Sequence, residues 1–101
     1  MQRIIQFKTR DNAGATEIIN SVRNGLKALD RHKPGGVRLA YWRLTDSNDF
    51  IALIELSDPE KNPLFDIQET RELPAAIGEK VEGGYPKPRL LELLGAYGFD
   101  L

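Results

Sequence analysis

Residues 37–56 carry the sequence VRLAYWRLTDSNDFIALIEL, two strand-like runs joined by a cluster of turn formers. β-branched and aromatic residues fill both runs, and residues 46–49 (DSND) favour a turn, so the stretch predicts a β-hairpin. A symmetrical turn there would pair residues whose numbers sum to 95. Apolar residues then lie on both faces of the hairpin, whereas a sheet wetted on one side shows clean alternation. We therefore expect something to cover each face.

Two elements are predicted before the hairpin. Residues 3–8 (RIIQFK) alternate loosely between apolar and polar types, which is typical of a strand. Asp11 and Asn12 can each cap a helix whose apolar residues recur at helical spacing. That helix should end at residues 31–36 (RHKPGG), where cations complement its carbonyl end and Pro-Gly-Gly cannot continue it.

Two more elements follow the hairpin. Residues 64–81 form a helical region that Pro74 should divide into two short helices, because proline lacks the amide proton and its ring clashes with the preceding turn. Residues 89–97 then predict a last strand whose leucines would cover both faces.

The predicted order is β-α-β-β-α-β, which defines an α+β, ferredoxin-like fold with an antiparallel four-stranded sheet and two helices on one face. Residues 1–101 are expected to form one such domain. The other face, with Trp42, Leu44, Ile51 and Leu53, would leave a large apolar patch exposed on a monomer. We therefore expect a homodimer that packs sheet to sheet.

Composition excludes several classes of function. The 14 Lys and Arg residues against 15 Asp and Glu leave no basic field for binding nucleic acid. The chain has no Cys, which excludes disulfides, thiolate nucleophiles and thiolate-bound metals, and its one His cannot alone assemble a metal site. No run approaches the roughly 20 apolar residues of a membrane span. We expect a cytoplasmic protein without metal, cofactor or membrane partner.

Four short motifs carry a family resemblance: residues 43–46 (RLTD), 50–55 (FIALIE), 60–64 (EKNPL) and 94–97 (LGAY). With them the chain resembles the antibiotic-biosynthesis monooxygenase-like branch of the dimeric α/β-barrel proteins. The resemblance implies a small homodimer whose two sheets form a joint barrel. It also implies enzymes that oxidise quinol-like polyaromatic compounds with molecular oxygen and without metal or flavin.

Haem-degrading relatives in that fold use an Asn on the first strand together with a Trp and a His on the second helix. Here the first strand has Gln6, the single Trp is Trp42 on a strand, and residues 64–81 contain no His. The resemblance therefore does not extend to haem degradation.

Tyr41 and Arg43 are the candidate catalytic residues, because both fall on the hairpin face assigned to the helices. An unpaired buried guanidinium is costly, and a pocket would explain one there. Arg43 could bind an anionic or enolic oxygen while Tyr41 donates a hydrogen bond or transfers a proton. Alternatively, Arg43 reaches solvent or pairs with Asp46 or Asp49.

Asn62 and Tyr85 are candidate substrate-binding residues with structural alternatives. Asn62 can instead orient the loop that opens the second helical region, through a side-chain bond to the backbone. Tyr85, in the sequence Gly-Gly-Tyr-Pro, can cover the mouth of a pocket or anchor a stiff loop.

Arg38, Trp42 and Glu55 fall on the opposite face, with Glu55 predicted to lie diagonal to the other two. They could form a site, but Trp and Arg are the types most enriched at interface hot spots, so we assign them to the dimer interface. The terminal residues Tyr97, Phe99 and Leu101 could pack across the same dimer.

Two functions remain open from the sequence. The first is a cofactor-independent monooxygenase, or related small-molecule enzyme, acting on an aromatic, quinol-like compound in a pocket between sheet and helices. The second is a non-catalytic small-molecule-binding or structural homodimer. An enclosed cavity of a few hundred Å³ bordered by Tyr41 or Arg43 would favour the first, since that is the size of ligand pockets, and a core filled by side chains at that place would contradict it.

Overall fold

The computed structural model describes residues 1–99 and has an α+β architecture with an open, antiparallel four-stranded sheet and two α-helices. The strand order is β2-β3-β1-β4, which is compatible with the predicted ferredoxin-like arrangement. The elements are β1 (Gln2–Lys8), α1 (Asn12–His32), β2 (Val37–Arg43), β3 (Asp49–Leu56), a 3₁₀ helix (Pro63–Asp66), α2 (Gln68–Lys80) and β4 (Arg89–Leu91).

α1 begins at one of its two predicted caps and ends within the predicted stretch, where the cap is Lys33 rather than a glycine. The Asp11 carboxylate accepts a hydrogen bond of 2.7 Å from the backbone N–H of Gly14, which satisfies one of the donors left over at a helix start. At the other end Lys33 is left-handed, with φ 47°, and its N–H donates to the carbonyl of Leu29. Local sequence signals therefore determine the length of this helix.

The β2–β3 hairpin forms, but its pairing differs from the predicted one by two residues. Paired residues sum to 93, as in Arg43 with Phe50. The turn closes earlier because Asp46 is left-handed, with φ 58°, and the N–H of Leu44 donates to the carbonyl of Asp49. Asp49 thus belongs to the strand. A shift of two residues leaves every side chain on its predicted face, since strand side chains alternate with period two.

The core lies between the two helices and one face of the sheet. The rings of Phe7 and Phe50 stack there at 5.1 Å between centroids, on the two inner strands. Residues of α1 and α2 pack over them, and the buried cluster consists of Ile5, Phe7, Ala15, Ile18, Val22, Phe50, Ala52, Leu73, Ile77 and Val81. The buried cluster in residues 1–99 thus lies on one face of the sheet, and we call the opposite face the open face.

The second helical region is divided as predicted into two short helices, but not at Pro74. The break is at Ile67, between the 3₁₀ helix and α2, and Pro74 lies inside α2. The proline removes one backbone hydrogen bond, that to the carbonyl of Thr70, and the turns on either side hold the helix together. The Thr70 hydroxyl secures the break by donating to the carbonyls of Leu64 (2.6 Å) and Ile67 (3.1 Å).

The last strand is much shorter than predicted. β4 comprises only Arg89–Leu91, and residues 92–99 are exposed rather than packed on the sheet. Leu94 exposes 92% of its surface and Tyr97 exposes 96%, and Phe99 is also exposed. The prediction failed because hydrophobic pattern alone does not provide a partner strand, and the described pairing of β4 with β1 ends at Leu91. Leu101 lies outside the described residues.

None of the helices in residues 1–99 is both long and apolar enough to cross a membrane.

Thr70→Val should lower the free energy of unfolding by about 1–3 kcal/mol, because two buried carbonyls lose their donor while side-chain volume is kept. Urea denaturation measures the change. Thr16→Val is the matched control: its hydroxyl also bonds a helix carbonyl, that of Asn12, but at an exposed position, so the change should stay within about 0.5 kcal/mol. Equal losses in both variants would contradict this role for Thr70.

Candidate functional site

A cleft of about 240 Å³ opens between the sheet and the second helical region. It is lined mainly by apolar side chains, with a few polar groups among them, which is the usual composition of small-molecule sites. The lining residues are Arg3, Leu39, Tyr41, Ile54, Leu56, Asn62, Leu64, Phe65, Thr70, Leu73, Pro74, Tyr85 and Pro88. Tyr41, which was expected to border an enclosed cavity, borders this cleft, which is partly open to solvent.

The sheet provides one wall of this cleft through side chains on the face that carries the core. Leu39, Ile54 and Arg3 lie in one row across β2, β3 and β1, because Leu39 pairs with Ile54 and Ile54 with Arg3. Tyr41 is two residues further along β2 on the same face, opposite Ala52. The register of the three strands therefore determines which side chains form this wall of the cleft, which we also call its floor.

The opposite wall comes from the 3₁₀ helix and the start of α2. Asn62 caps the 3₁₀ helix, since its Oδ1 accepts a hydrogen bond of 3.0 Å from the N–H of Leu64. This confirms the loop-orienting alternative for Asn62, and the same residue lines the cleft. That oxygen keeps a second lone pair and the amide NH₂ can donate, so Asn62 can direct either group to a ligand.

Tyr85 comes from the connection between α2 and β4 and lies close to α2 at Gly78. A Cβ built on Gly78 would lie 3.4 Å from the backbone nitrogen of Tyr85, so the missing side chain permits the close approach. Tyr85 lines the cleft and still exposes 38% of its surface. It borders the cleft at a position exposed to solvent, as expected for a residue at a pocket mouth.

The structure brings three of the four predicted site residues together: Tyr41, Asn62 and Tyr85 all line the cleft. Arg43 does not. It is exposed at the end of β2 and borders a different depression, between that strand and α1. No ion pair joins it to Asp46 or Asp49 within residues 1–99. Its exposure matches the solvent-reaching alternative, and a catalytic role for Arg43 stays a prediction.

Both tyrosines of the cleft hold their protons more firmly than a free phenol. Burial raises the pKa of Tyr41 well above its ordinary value, and the nearby Tyr85 raises it further. Burial also raises the pKa of Tyr85. The two hydroxyls are therefore neutral hydrogen-bonding groups near pH 7, and Tyr41 is not a base that accepts a proton.

Arg3 is the cleft residue that the sequence analysis missed. The signal was present: in a strand over residues 3–8, Arg3 shares a face with Ile5 and Phe7, both of which are buried in the core. An arginine on the covered face of an inner strand is unusual. Arg43 drew attention for the same reason, but only Arg3 borders the cleft.

The residues predicted for the dimer interface all lie on the open face. Arg38 is directly opposite Glu55, not diagonal to it, and their side chains form an ion pair at 3.4 Å. Gln2 of β1 donates to the other Glu55 oxygen at 2.9 Å, which extends the polar row across three strands. Trp42 lies opposite Ile51, four residues along from Arg38, and exposes 53% of its surface.

Comparison with protein-family models, with curated proteins and with solved structures found no match to this chain. The family resemblance therefore remains a prediction from the four short motifs. Within residues 1–99, no group of three or more His, Asp or Glu side chains is placed to hold a metal ion. The site must be interpreted from its own geometry and chemistry.

The raised pKa of Tyr41 predicts a pH dependence of stability. The folded state keeps the phenol proton that the unfolded state releases near 10.0, so this contribution is complete below pH 10 and is lost as pH rises further towards the higher folded pKa. Tyr41→Phe has no such proton, and its free energy of unfolding should fall less between pH 9 and pH 11. Parallel urea denaturation at several pH values tests this, and identical slopes would contradict it.

Proposed function

We propose that this protein binds a small aromatic molecule in the cleft between the sheet and the second helical region. The supporting observation is a single cavity that gathers Tyr41, Asn62 and Tyr85 among apolar walls. At about 240 Å³ it is slightly smaller than the roughly 300–1,000 Å³ usual for ligand pockets, which suits a compound of one or two rings.

The walls favour a flat, apolar ligand. Leu39, Ile54 and Leu73 offer aliphatic surface on two sides, and Pro74 and Pro88 add rigid faces that lose no side-chain freedom on binding. The phenol rings can contact a second aromatic ring edge to face or stacked. Polar contacts are few, so they would orient the ligand rather than supply most of its affinity.

Cofactor-independent oxygenation of a quinol-like compound is the second candidate, favoured by the neutral Tyr41 hydroxyl inside an apolar cleft. Such a donor can stabilise the oxygen of an ionised phenol as it reacts with molecular oxygen. One oxygen atom is transferred to the ring and the other leaves as water, because the phenol itself supplies the four electrons and two hydrogens as it is oxidised to a quinone. None of the described lining residues is Asp, Glu or His. The substrate would have to ionise without a carboxylate or imidazole base, so we favour binding over catalysis.

Tyr41→Phe should weaken the binding of 1-naphthol by about two- to tenfold, because a neutral hydrogen bond contributes about 0.5–1.5 kcal/mol. Trp42→Phe is the matched control, since the neighbouring side chain lies on the open face and should change affinity less than twofold. Titration calorimetry measures affinity, and amide shifts in NMR spectra should move at Leu39, Ile54 and Leu73.

Two results would decide between the candidates or remove both. Absence of naphthol binding to the wild-type chain, or amide shifts confined to the open face, would contradict the binding proposal. Oxygen consumption with a panel of quinols tests catalysis. Turnover that Tyr41→Phe abolishes and Trp42→Phe preserves would establish the oxygenase, whereas no turnover with retained binding would leave the protein a binding domain.

We further propose that the protein acts as a homodimer formed through the open face. The two helices pack on the other face, and the open face presents Ile4, Ala40, Trp42, Ile51 and Leu53 in adjacent positions of three strands. An exposed apolar surface of this kind is typical of an interaction site. A second copy offers the same surface, and an isologous contact would bury both at once.

The exposed C-terminal segment supports the same occupant. Leu93, Leu94, Tyr97 and Phe99 all lack a covering element within the described chain. Exposed apolar side chains grouped in one segment are typical of a surface that a partner covers. A partner copy that lies against the open face would bring apolar surface within reach of this segment.

Trp42→Glu should therefore raise the dimer dissociation constant by about 30-fold or more, as for a hot-spot residue worth about 2 kcal/mol. Sedimentation equilibrium at micromolar concentration measures it. Ala75→Glu adds the same charge at an exposed position of α2 and should leave the constant unchanged. A wild-type chain that sediments as a monomer would contradict the dimer.

A further inference from the structure

Arg3 is a half-buried cation on the sheet face that carries the core. It lies on β1, an inner strand bonded to β3 on one side and β4 on the other. Its cross-strand neighbours are Ile54 and Leu90, both apolar, and Leu90 exposes 68% of its surface. An arginine at such a position can keep its stem on apolar surface and direct its guanidinium towards solvent or a ligand.

The described chain does not pair it. Within residues 1–99 no carboxylate oxygen lies within 4.0 Å of the Arg3 guanidinium. Three ion pairs between other residues do form within that distance. Its one described hydrogen bond runs from Nε to the Met1 sulfur at 3.3 Å, and thioether sulfur is a weak acceptor. Arg3 lines the cleft, and its two terminal nitrogens, which form the usual fork for a carboxylate, have no described partner in residues 1–99.

The other polar groups of the cleft can also donate. Tyr41 and Tyr85 are neutral hydroxyls, Asn62 has an NH₂ group beside the oxygen that accepts from Leu64, and the Thr70 hydroxyl already donates to backbone carbonyls. No Asp or Glu is among the described lining residues. One guanidinium and three neutral donors thus share a cleft with apolar walls, so the complementary ligand carries acceptors and a negative charge at one end.

We propose that the ligand of this cleft is a small aromatic carboxylate whose carboxylate is bound by the Arg3 fork and whose ring lies between Ile54 and Leu73. This inference deepens the proposed function and rests on it, because it specifies the chemistry of the molecule held in the same cleft. Ligand binding would provide the guanidinium with a partner that residues 1–99 do not supply, and two parallel N–H···O bonds would orient the ring.

The test compares 2-naphthoate with 2-naphthamide, which has nearly the same shape and no charge. Wild-type protein should bind naphthoate at least tenfold more tightly in titration calorimetry. Arg3→Gln should lose about 10- to 100-fold in naphthoate affinity, the value expected for hydrogen bonds to charged groups, and should bind naphthamide as before. Arg3→Lys keeps the charge without the fork and should fall between the two.

Arg89→Gln is the matched control. It removes the same charge from the adjacent strand, but Arg89 pairs with Ile4 on the open face, so naphthoate affinity should change less than twofold. A preference of the wild type for naphthoate that rising salt reduces needs no variant and supports the proposal independently of how Arg3→Gln folds.

The results distinguish failure of the carboxylate proposal from failure of the proposed binding function. Equal affinity of the wild type for naphthoate and naphthamide would overturn the carboxylate and leave the proposed binding function standing. Loss of naphthoate affinity of the same size in Arg89→Gln would show general attraction to positive charge and would also overturn the role of Arg3. Failure of both probes to bind the wild type would overturn the proposed function together with this inference.

Discussion

The packing of α1 and α2 against the two inner strands is the interaction on which the rest of the structure depends. Phe7 and Phe50 stack on β1 and β3, and the helices bury them with Ile18 and Ile77. Such burial contributes roughly 1.5–3 kcal/mol per large side chain, so this is the main source of stability. The close packing does not extend over the row Leu39–Ile54–Arg3, which the second helical region covers only partly. The cleft is the space left there.

The same packing explains why the open face stays apolar without a covering element in the described chain. Both α-helices described in residues 1–99 pack on one side of the sheet, so neither covers the other side. Trp42, Ile51 and Leu53 then remain at the surface, bordered by the polar row from Arg38 through Glu55 to Gln2. Since a polar rim around an apolar centre is the usual composition of a protein interface, the open face has both parts of one.

The sequence was informative where one local rule decided the outcome. Asp11 and Lys33 mark the ends of α1, and alternation along the hairpin assigned Tyr41 and Trp42 to opposite faces even though the pairing was wrong by two residues. It was less informative where tertiary contacts decide. Whether Pro74 ends a helix depends on the hydrogen bonds around it. The length of β4 depends on how many β1 residues can pair with it, and that pairing ends where Gln2 meets Leu91. Strand alternation assigns Arg3 to the same face as Ile5 and Phe7. Alternation alone does not show which part of that face the helices leave open as a cleft.

The two proposed sites lie back to back on the same strands. Arg38 and Leu39, Glu55 and Ile54, and Gln2 and Arg3 are sequence neighbours, so the polar row of the open face and the floor of the cleft are opposite sides of one piece of sheet. Because strand side chains alternate, a substitution at one position reaches one face only. Substitutions at adjacent residues of β1, β2 or β3 should therefore affect ligand binding and self-association separately. A change of backbone register, in contrast, would alter both faces together, which makes the β1–β3 pairing the element that the two sites share.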